Sequence, residues 1–228
     1  MAHSIWGVII ACGKSEVLTS GTDVAFLNLG ANPVIVYSML AFEQCRDIEG
    51  VVIIAKKERV ESLKGMAQMF GCSKVKKIVA GGVKRLACVQ AGLNAVEDEA
   101  SLVVTHEVSR PCVKPALISE TIKIAKKYGS GVAATKIGGV VAQVPKGLQA
   151  KKMLDGSGVW SLQTPQAFKL DILLKALRSA EKKKAAIVDE ASAFECIKKE
   201  IRLVLSNTNN IKIYGPDDLI LATSLARV

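Results

Sequence analysis

The sequence predicts an α/β protein: a mostly parallel, twisted sheet with helices on both faces. Three observations lead there. Apolar runs such as residues 6–11 (WGVIIA) and 50–55 (GVVIIA) are continuous rather than alternating, as strands covered on both sides require. The segments between them repeat apolar residues at helical spacing. The composition, 50% hydrophobic but only 4% aromatic, suits aliphatic strands packed under helices. At 228 residues the chain is long enough for a full core and is read as one domain, residues 1–228.

The elements follow in order. Residues 6–11 form the first strand, which ends in a turn at Gly13. Residues 33–45 form a helix with Pro33 in its first turn and Val36 and Leu40 on one face. Residues 50–55 are a strand and 58–70 a helix. A strand at 77–80 leads to an amphipathic helix at 84–96, where Leu86, Val89, Leu93 and Val96 share a stripe. A strand at 101–105 is followed by a helix at 114–128 with Ile118, Ile122 and Ala125 on one side, and the chain returns as a strand at 131–135. Between 136 and 159 the rhythm breaks into glycines, a proline and lysines, which predicts an arm protruding from the sheet. Helices at 168–180 and 189–198 follow, the second with Asp189 as N-cap. Strands at 201–205 and 210–213 and a helix at 216–226, opened by Pro216, close the chain.

The 31 Lys and Arg against 21 Asp and Glu give a net charge of +10. A positive balance fits nucleic acid, a membrane surface or an anionic small substrate. The lysines are scattered as pairs with no aromatic residues between them, which argues against a single-strand binding groove. No apolar run is long enough for a membrane span, and no signal peptide precedes the first strand. The six cysteines show neither CxxC nor zinc spacing, as expected of free thiols in the cytoplasm. There is no Ser–His–Asp pattern and no Walker lysine.

In a parallel α/β sheet, ligands bind at the carboxyl ends of the strands. That selects the loop after the first strand, where Ala11, Cys12 and Gly13 lead into Lys14. It selects the turn after the third, where Gly81 and Gly82 let the backbone approach a ligand and Arg85 opens a helix. Glu107, just after the fourth strand, is placed to hold Mg²⁺, which takes only one or two protein carboxylates. The uncharged cluster around Thr164 and Gln166 suits a hydroxylated substrate, and Lys212 suits a substrate phosphate.

Taken in order, 27–42 (LNLGANPVIVYSMLAF), 81–93 (GGVKRLACVQAGL), 106–111 (HEVSRP), 159–168 (VWSLQTPQAF), 188–193 (VDEASA) and 210–219 (NIKIYGPDDL) resemble the 2-C-methyl-D-erythritol 4-phosphate cytidylyltransferase family along the whole chain. The resemblance implies a Rossmann-like nucleotidyltransferase fold and attack by a sugar-alcohol phosphate on the α-phosphorus of CTP, with Mg²⁺ as cofactor. It implies that Ala11, Cys12, Gly13, Gly82, Arg85 and Cys88 bind nucleotide, that Arg85 and Lys14 are catalytic cations, and that Glu107 holds the metal. Thr164, Gln166 and Lys212 would bind the acceptor, and residues 136–159 would be the arm exchanged in a homodimer.

The nucleotide loop departs from the family pattern. A glycine is replaced by Ser15, the loop arginine by Val17, and a Pro-Lys pair by Asp23-Val24. Cys88 replaces a base-contacting serine, Gly156 stands near a substrate arginine, and Val188 replaces a threonine. Glu16 and Asp23 are expected to repel a triphosphate, so the resemblance implies weak or altered transferase activity. The alternatives are a catalytically silent relative acting as a binding or scaffold protein, and a dinucleotide-binding oxidoreductase. The second is disfavoured by the absence of GxGxxG and of an acid soon after the second strand.

Overall fold

A computed structural model describes residues 4–13, 16–18 and 21–226. The strands are β1 (Ser4–Ala11), β2 (Asn28–Leu29), β3 (Asn32–Pro33), β4 (Gly50–Ala55), β5 (Val75–Ala80), β6 (Ala100–Glu107), β7 (Ser130–Lys136), β8 (Val140–Gln143), β9 (Lys152–Asp155), β10 (Trp160–Lys169) and β11 (Leu203–Leu205). The helices are α1 (Val34–Gln44), α2 (Val60–Met69), α3 (Arg85–Leu93), α4 (Pro115–Tyr128), α5 (Leu170–Lys182) and α6 (Pro216–Ala226). Seven strands form the main sheet in the order β11-β7-β10-β6-β1-β4-β5. All neighbours are parallel except β10, which runs antiparallel to both β6 and β7.

The continuous apolar strands divide their side chains between two cores. On β1, Ile5, Ile9 and Ala11 enter one core while Trp6, Val8 and Ile10, with Cys12 just beyond the strand, enter the other. The first core is closed by α1, α2, α4 and α6, through residues such as Phe42, Leu63, Ile118 and Ala222. The second is closed by α3, α5 and a 3₁₀ segment, Ala191–Ile197, through Val89, Leu177 and Phe194. Period-two alternation is present, but both faces are dry, so the sequence reads as an unbroken apolar run.

Four local readings change. Residues 160–169 form a strand, hidden in the sequence because Thr164-Pro165 interrupts it; the ladder to β7 shifts register between Leu162 and Gln166, which is where a proline is tolerated. Residues 210–213 do not form a strand. One backbone bond, from the Ile213 N–H to the Ser109 carbonyl (2.8 Å), and the buried Asn210 side chain hold that segment instead. The helix expected at 189–198 is 3₁₀ and begins at Ala191, so Glu190 rather than Asp189 holds the N-cap position; Asp189, one residue earlier, accepts the Ser192 N–H at 2.9 Å. Pro33 lies just before α1 rather than inside it. Residues 136–159 contain the antiparallel β8–β9 hairpin, with Val140, Leu148 and Met153 exposed.

β1 lies between strands added on both sides: the chain goes to β4 and β5, then returns to β6 on the other flank. The strand order therefore reverses between β1 and β6, and a crevice opens at their carboxyl ends. Gly13 has φ +97°, a left-handed conformation that suits glycine. Gly81 has no room for a side chain, since a Cβ would lie 2.3 Å from Cys12 Sγ and 2.6 Å from Ile54 Cγ2. Gly81→Ala is expected to cost about 1–3 kcal/mol, as overpacked cores do. Urea unfolding measures it, and an unchanged midpoint would contradict this packing.

A six-charge site at the carboxyl edge of the sheet

Glu107 ends β6 and is buried beneath three cations. Lys212 Nζ donates to its Oε1 at 2.6 Å, Arg85 Nη1 to the same oxygen at 3.3 Å, and Arg110 Nε to its Oε2 at 3.4 Å. Burial pushes this carboxyl up, but the Lys212 ammonium and the Arg85 guanidinium outweigh it and hold the group at about 2. Arg85, opening α3, is fixed by a bidentate pair with Glu190, Nε to Oε1 and Nη2 to Oε2, each 2.9 Å. The Thr105 hydroxyl donates to Glu190 Oε2 at 2.8 Å. Burial lowers the Arg85 pKa, but the Glu190 carboxylate more than reverses this and the group stays cationic.

The third carboxylate is Glu16, on the loop after β1. It turns inward, accepts the Ser109 N–H at 3.0 Å and lies 3.8 Å from Lys212 Nζ. Burial and the Glu107 charge push it up to about 7. Glu16 therefore joins a network of three acids and three bases instead of facing outward to repel a triphosphate. Asp23 is likewise engaged, by Lys56 and by Arg59 Nε at 3.4 Å. Val24 is fully buried in the first core, and Val17 pairs with Asp23 as an isolated antiparallel bridge.

Thr164, on β10, reaches the same edge. Its hydroxyl accepts the Glu107 N–H at 3.0 Å and pairs with His106 Nδ1 at 3.1 Å. His106 Nε2 lies 3.2 Å from the Arg110 carbonyl, which can only accept, so Nε2 carries the proton and Nδ1 accepts from Thr164. Burial lowers His106 to about 3 and keeps it neutral. Thr164 therefore retains one lone pair and no free proton: toward a ligand it is an acceptor. Asn210 ties the loops together, its Nδ2 donating to Gln163 Oε1 and to the Thr164 carbonyl (both 2.9 Å) and its own carbonyl accepting Arg110 Nη1 at 2.9 Å.

Of the residues singled out in the sequence, Arg85, Glu107, Thr164 and Lys212 converge on this network. Gln166 is committed to the 189–191 segment, donating to Asp189 Oδ2 at 2.8 Å and accepting the Ala191 N–H at 3.1 Å. Cys12 and Gly13 line an adjacent cleft of about 990 Å³ together with Arg85 and Lys184. Ala11 is buried behind them, and Cys88 lies buried against Cys12 and the Gly82 carbonyl. Lys14 lies outside the described residues. Other clefts, under α2 beside Lys64 and at the amino ends of the strands beside Ile5, are away from the carboxyl edge, and topology decides for the cleft at Cys12. The sequence reading missed Glu16, Arg110, Glu190 and Asn210 as site residues; the HEVSRP and VDEASA segments were the available signal for Arg110 and Glu190.

A family model described as 2-C-methyl-D-erythritol 4-phosphate cytidylyltransferase (IspD) matches residues 5–227. The chain belongs to this family. Among its relatives, the 2-C-methyl-D-erythritol 4-phosphate cytidylyltransferase of Dehalococcoides mccartyi is 32% identical over 226 residues, covering 99% of this chain and 97% of the relative. That of Alkaliphilus oremlandii is 29% identical over 221 residues, covering 96% and 94%. The crystal structure of 4-diphosphocytidyl-2C-methyl-D-erythritol synthase from Anaerococcus prevotii superposes with a TM-score of 0.85 at 21% identity over 99% of this chain and 97% of that one, which establishes the shared fold. Among the described residues no helix is long and apolar enough to cross a membrane.

Glu190→Ala strands Arg85 in a buried site and is expected to cost about 3–5 kcal/mol in denaturant unfolding; a loss below about 1 kcal/mol would show that Arg85 finds other partners. Glu16 has its pKa raised from 4.5 to about 7, so between those values the folded protein holds more proton than the unfolded chain. Its contribution to stability is therefore fully present at low pH and is lost as pH rises through that window. Wild type should lose stability relative to Glu16→Gln from pH 4.5 to 7, and parallel profiles would contradict the inward placement of the carboxyl. The neutral His106 contributes equally to both proteins and cancels.

Proposed function

We propose that this protein transfers a cytidylyl group from CTP to 2-C-methyl-D-erythritol 4-phosphate, releasing pyrophosphate, as an isoprenoid-precursor enzyme. The observation that carries the proposal is the cation cluster of Arg85, Arg110 and Lys212 at the carboxyl edge of β6, in a chain matched to the family over nearly its full length. Phosphoryl chemistry of this kind needs positioning and charge stabilisation more than covalent help. Cys12, Gly13 and the turn at Gly82 would face the nucleotide, with Cys88 behind them. Lys212, on the segment after Asn210, would receive the acceptor phosphate, exchanging its Glu16 and Glu107 contacts for phosphate oxygens. Thr164 would accept a hydrogen bond from an acceptor hydroxyl.

Among the described residues no group of three or more His, Cys, Asp or Glu is arranged for a metal ion. Mg²⁺ does not require one, because it completes its shell with phosphate oxygens and water. Glu107 fits that pattern: it is ionised above about pH 2, and among the described residues Oε2 has only the long contact with Arg110. Glu107 would hold the ion, which when bound would offset the charge of the triphosphate. We further read the chain as a single domain, and as a cytoplasmic homodimer joined through the exposed apolar residues of the β8–β9 arm.

The rate expected is below that of relatives with a fully cationic loop, because position 17 is valine and position 24 points into the core. Pyrophosphate release from CTP, Mg²⁺ and 2-C-methyl-D-erythritol 4-phosphate tests the function; no release with any sugar-alcohol phosphate would overturn it. Lys212→Met is expected to lower turnover about 10²–10³-fold, the usual loss for one preorganised donor, and an unaltered rate would remove Lys212 from the site. Val24→Lys is expected to destabilise the fold without raising the rate, because a charge at a fully buried position is costly.

A further inference from the structure

Two thiols meet beside the charge network. Cys12, one residue past β1, and Cys88, in the first turn of α3, place their sulfurs 2.8 Å apart across 76 residues of sequence. Cys12 donates its S–H to Cys88, and Cys88 donates to the Gly82 carbonyl at 2.8 Å. The pair is walled by Gly81, which has no side chain to part it. Cys45, Cys72 and Cys112 bond to oxygen atoms of Ser119, Phe70 and Ala222. Cys12 also lines the cleft of about 990 Å³, giving a small oxidant a route to the pair. The Cys12 S–H holds the Cys88 thiol below the usual thiol range against the opposing effect of burial, with the Arg85 charge adding to it.

We propose that Cys12 and Cys88 form a reversible thiol–disulfide couple built into the nucleotide cleft, taking a hydroperoxide as its two-electron oxidant. One sulfur attacks the peroxide; its O–O bond breaks, an alcohol or water leaves, and a sulfenic acid remains. The second sulfur attacks that sulfenic sulfur, the S–S bond forms, and the hydroxyl leaves as water with the second thiol proton. An external dithiol reverses the step. The cross-link joins the β1 loop to α3 and removes both S–H donors, so the Gly82 carbonyl loses its partner. The connection to nucleotide binding rests on the cytidylyl-transfer reading; the couple itself does not.

The test treats the whole protein with dilute hydrogen peroxide and maps its peptides by mass spectrometry before and after reduction. The couple predicts a loss of two mass units, a single cross-linked peptide pair carrying Cys12 and Cys88, two fewer titratable thiols, and full recovery with dithiothreitol. Cys88→Ser should abolish the cross-link. Sulfinic acid on either residue without a cross-link, or a cross-link between other cysteines in wild type, overturns the couple whatever the variant does. A parallel arm adds CTP and Mg²⁺, which should slow cross-linking at least about tenfold when the cleft is filled about tenfold above its dissociation constant. Cross-linking at the same rate with CTP upholds the couple and overturns the nucleotide reading.

Discussion

The carboxylate of Glu107 under three cations is the contact on which the rest of the site depends. Bringing Arg85, Arg110 and Lys212 together would be prohibitive without buried negative charge, and each acid in the network answers a base: Glu190 for Arg85, Glu107 for all three, Glu16 for Lys212. The network also fixes topology. It joins the loop after β1, the end of β6, the start of α3, the residue before the 3₁₀ segment that follows α5, and the chain before α6, all at the edge where the strand order reverses. An ion pair buried this far is weak evidence of stability, but removing one partner leaves a stranded charge, and this specifies the arrangement.

The same balance makes the site responsive to anions. With Glu16 near neutrality in its titration, the six groups fluctuate between zero net charge and one excess positive charge. A phosphate offers the bases a substitute for the Glu16 and Glu107 carboxylates, and Lys212 bridges both. Neutral His106 and the acceptor-only hydroxyl of Thr164 add directional contacts without adding charge. In the proposed reaction the bases would carry charge recognition and Thr164 of β10 would carry hydroxyl recognition.

Much of the fold was legible because apolar continuity and helical spacing are local signals. β1, β4, β6 and the helices α2 to α6 lie close to where spacing put them. β10 was not legible, because Thr164-Pro165 and two glutamines break the strand pattern and only pairing with β6 and β7 restores it. In the site, Arg85, Glu107, Thr164 and Lys212 stood out as strand-end or loop residues. Their partners did not: Glu190 meets Arg85 across 105 residues and Glu16 meets Ser109 across 93, and no local pattern encodes such pairing. Glu16 and Asp23 read as outward acids because sequence gives charge without direction. The structure turns one inward and pairs the other with Lys56 and Arg59.

A crystal structure with CTP and Mg²⁺ bound would decide whether this balanced network is the anion-binding part of the site. Phosphate oxygens are expected against the Arg85–Lys212 edge, with Lys212 drawn away from Glu16. Nucleotide bound in a different cleft, with Lys212 still between Glu16 and Glu107, would contradict it.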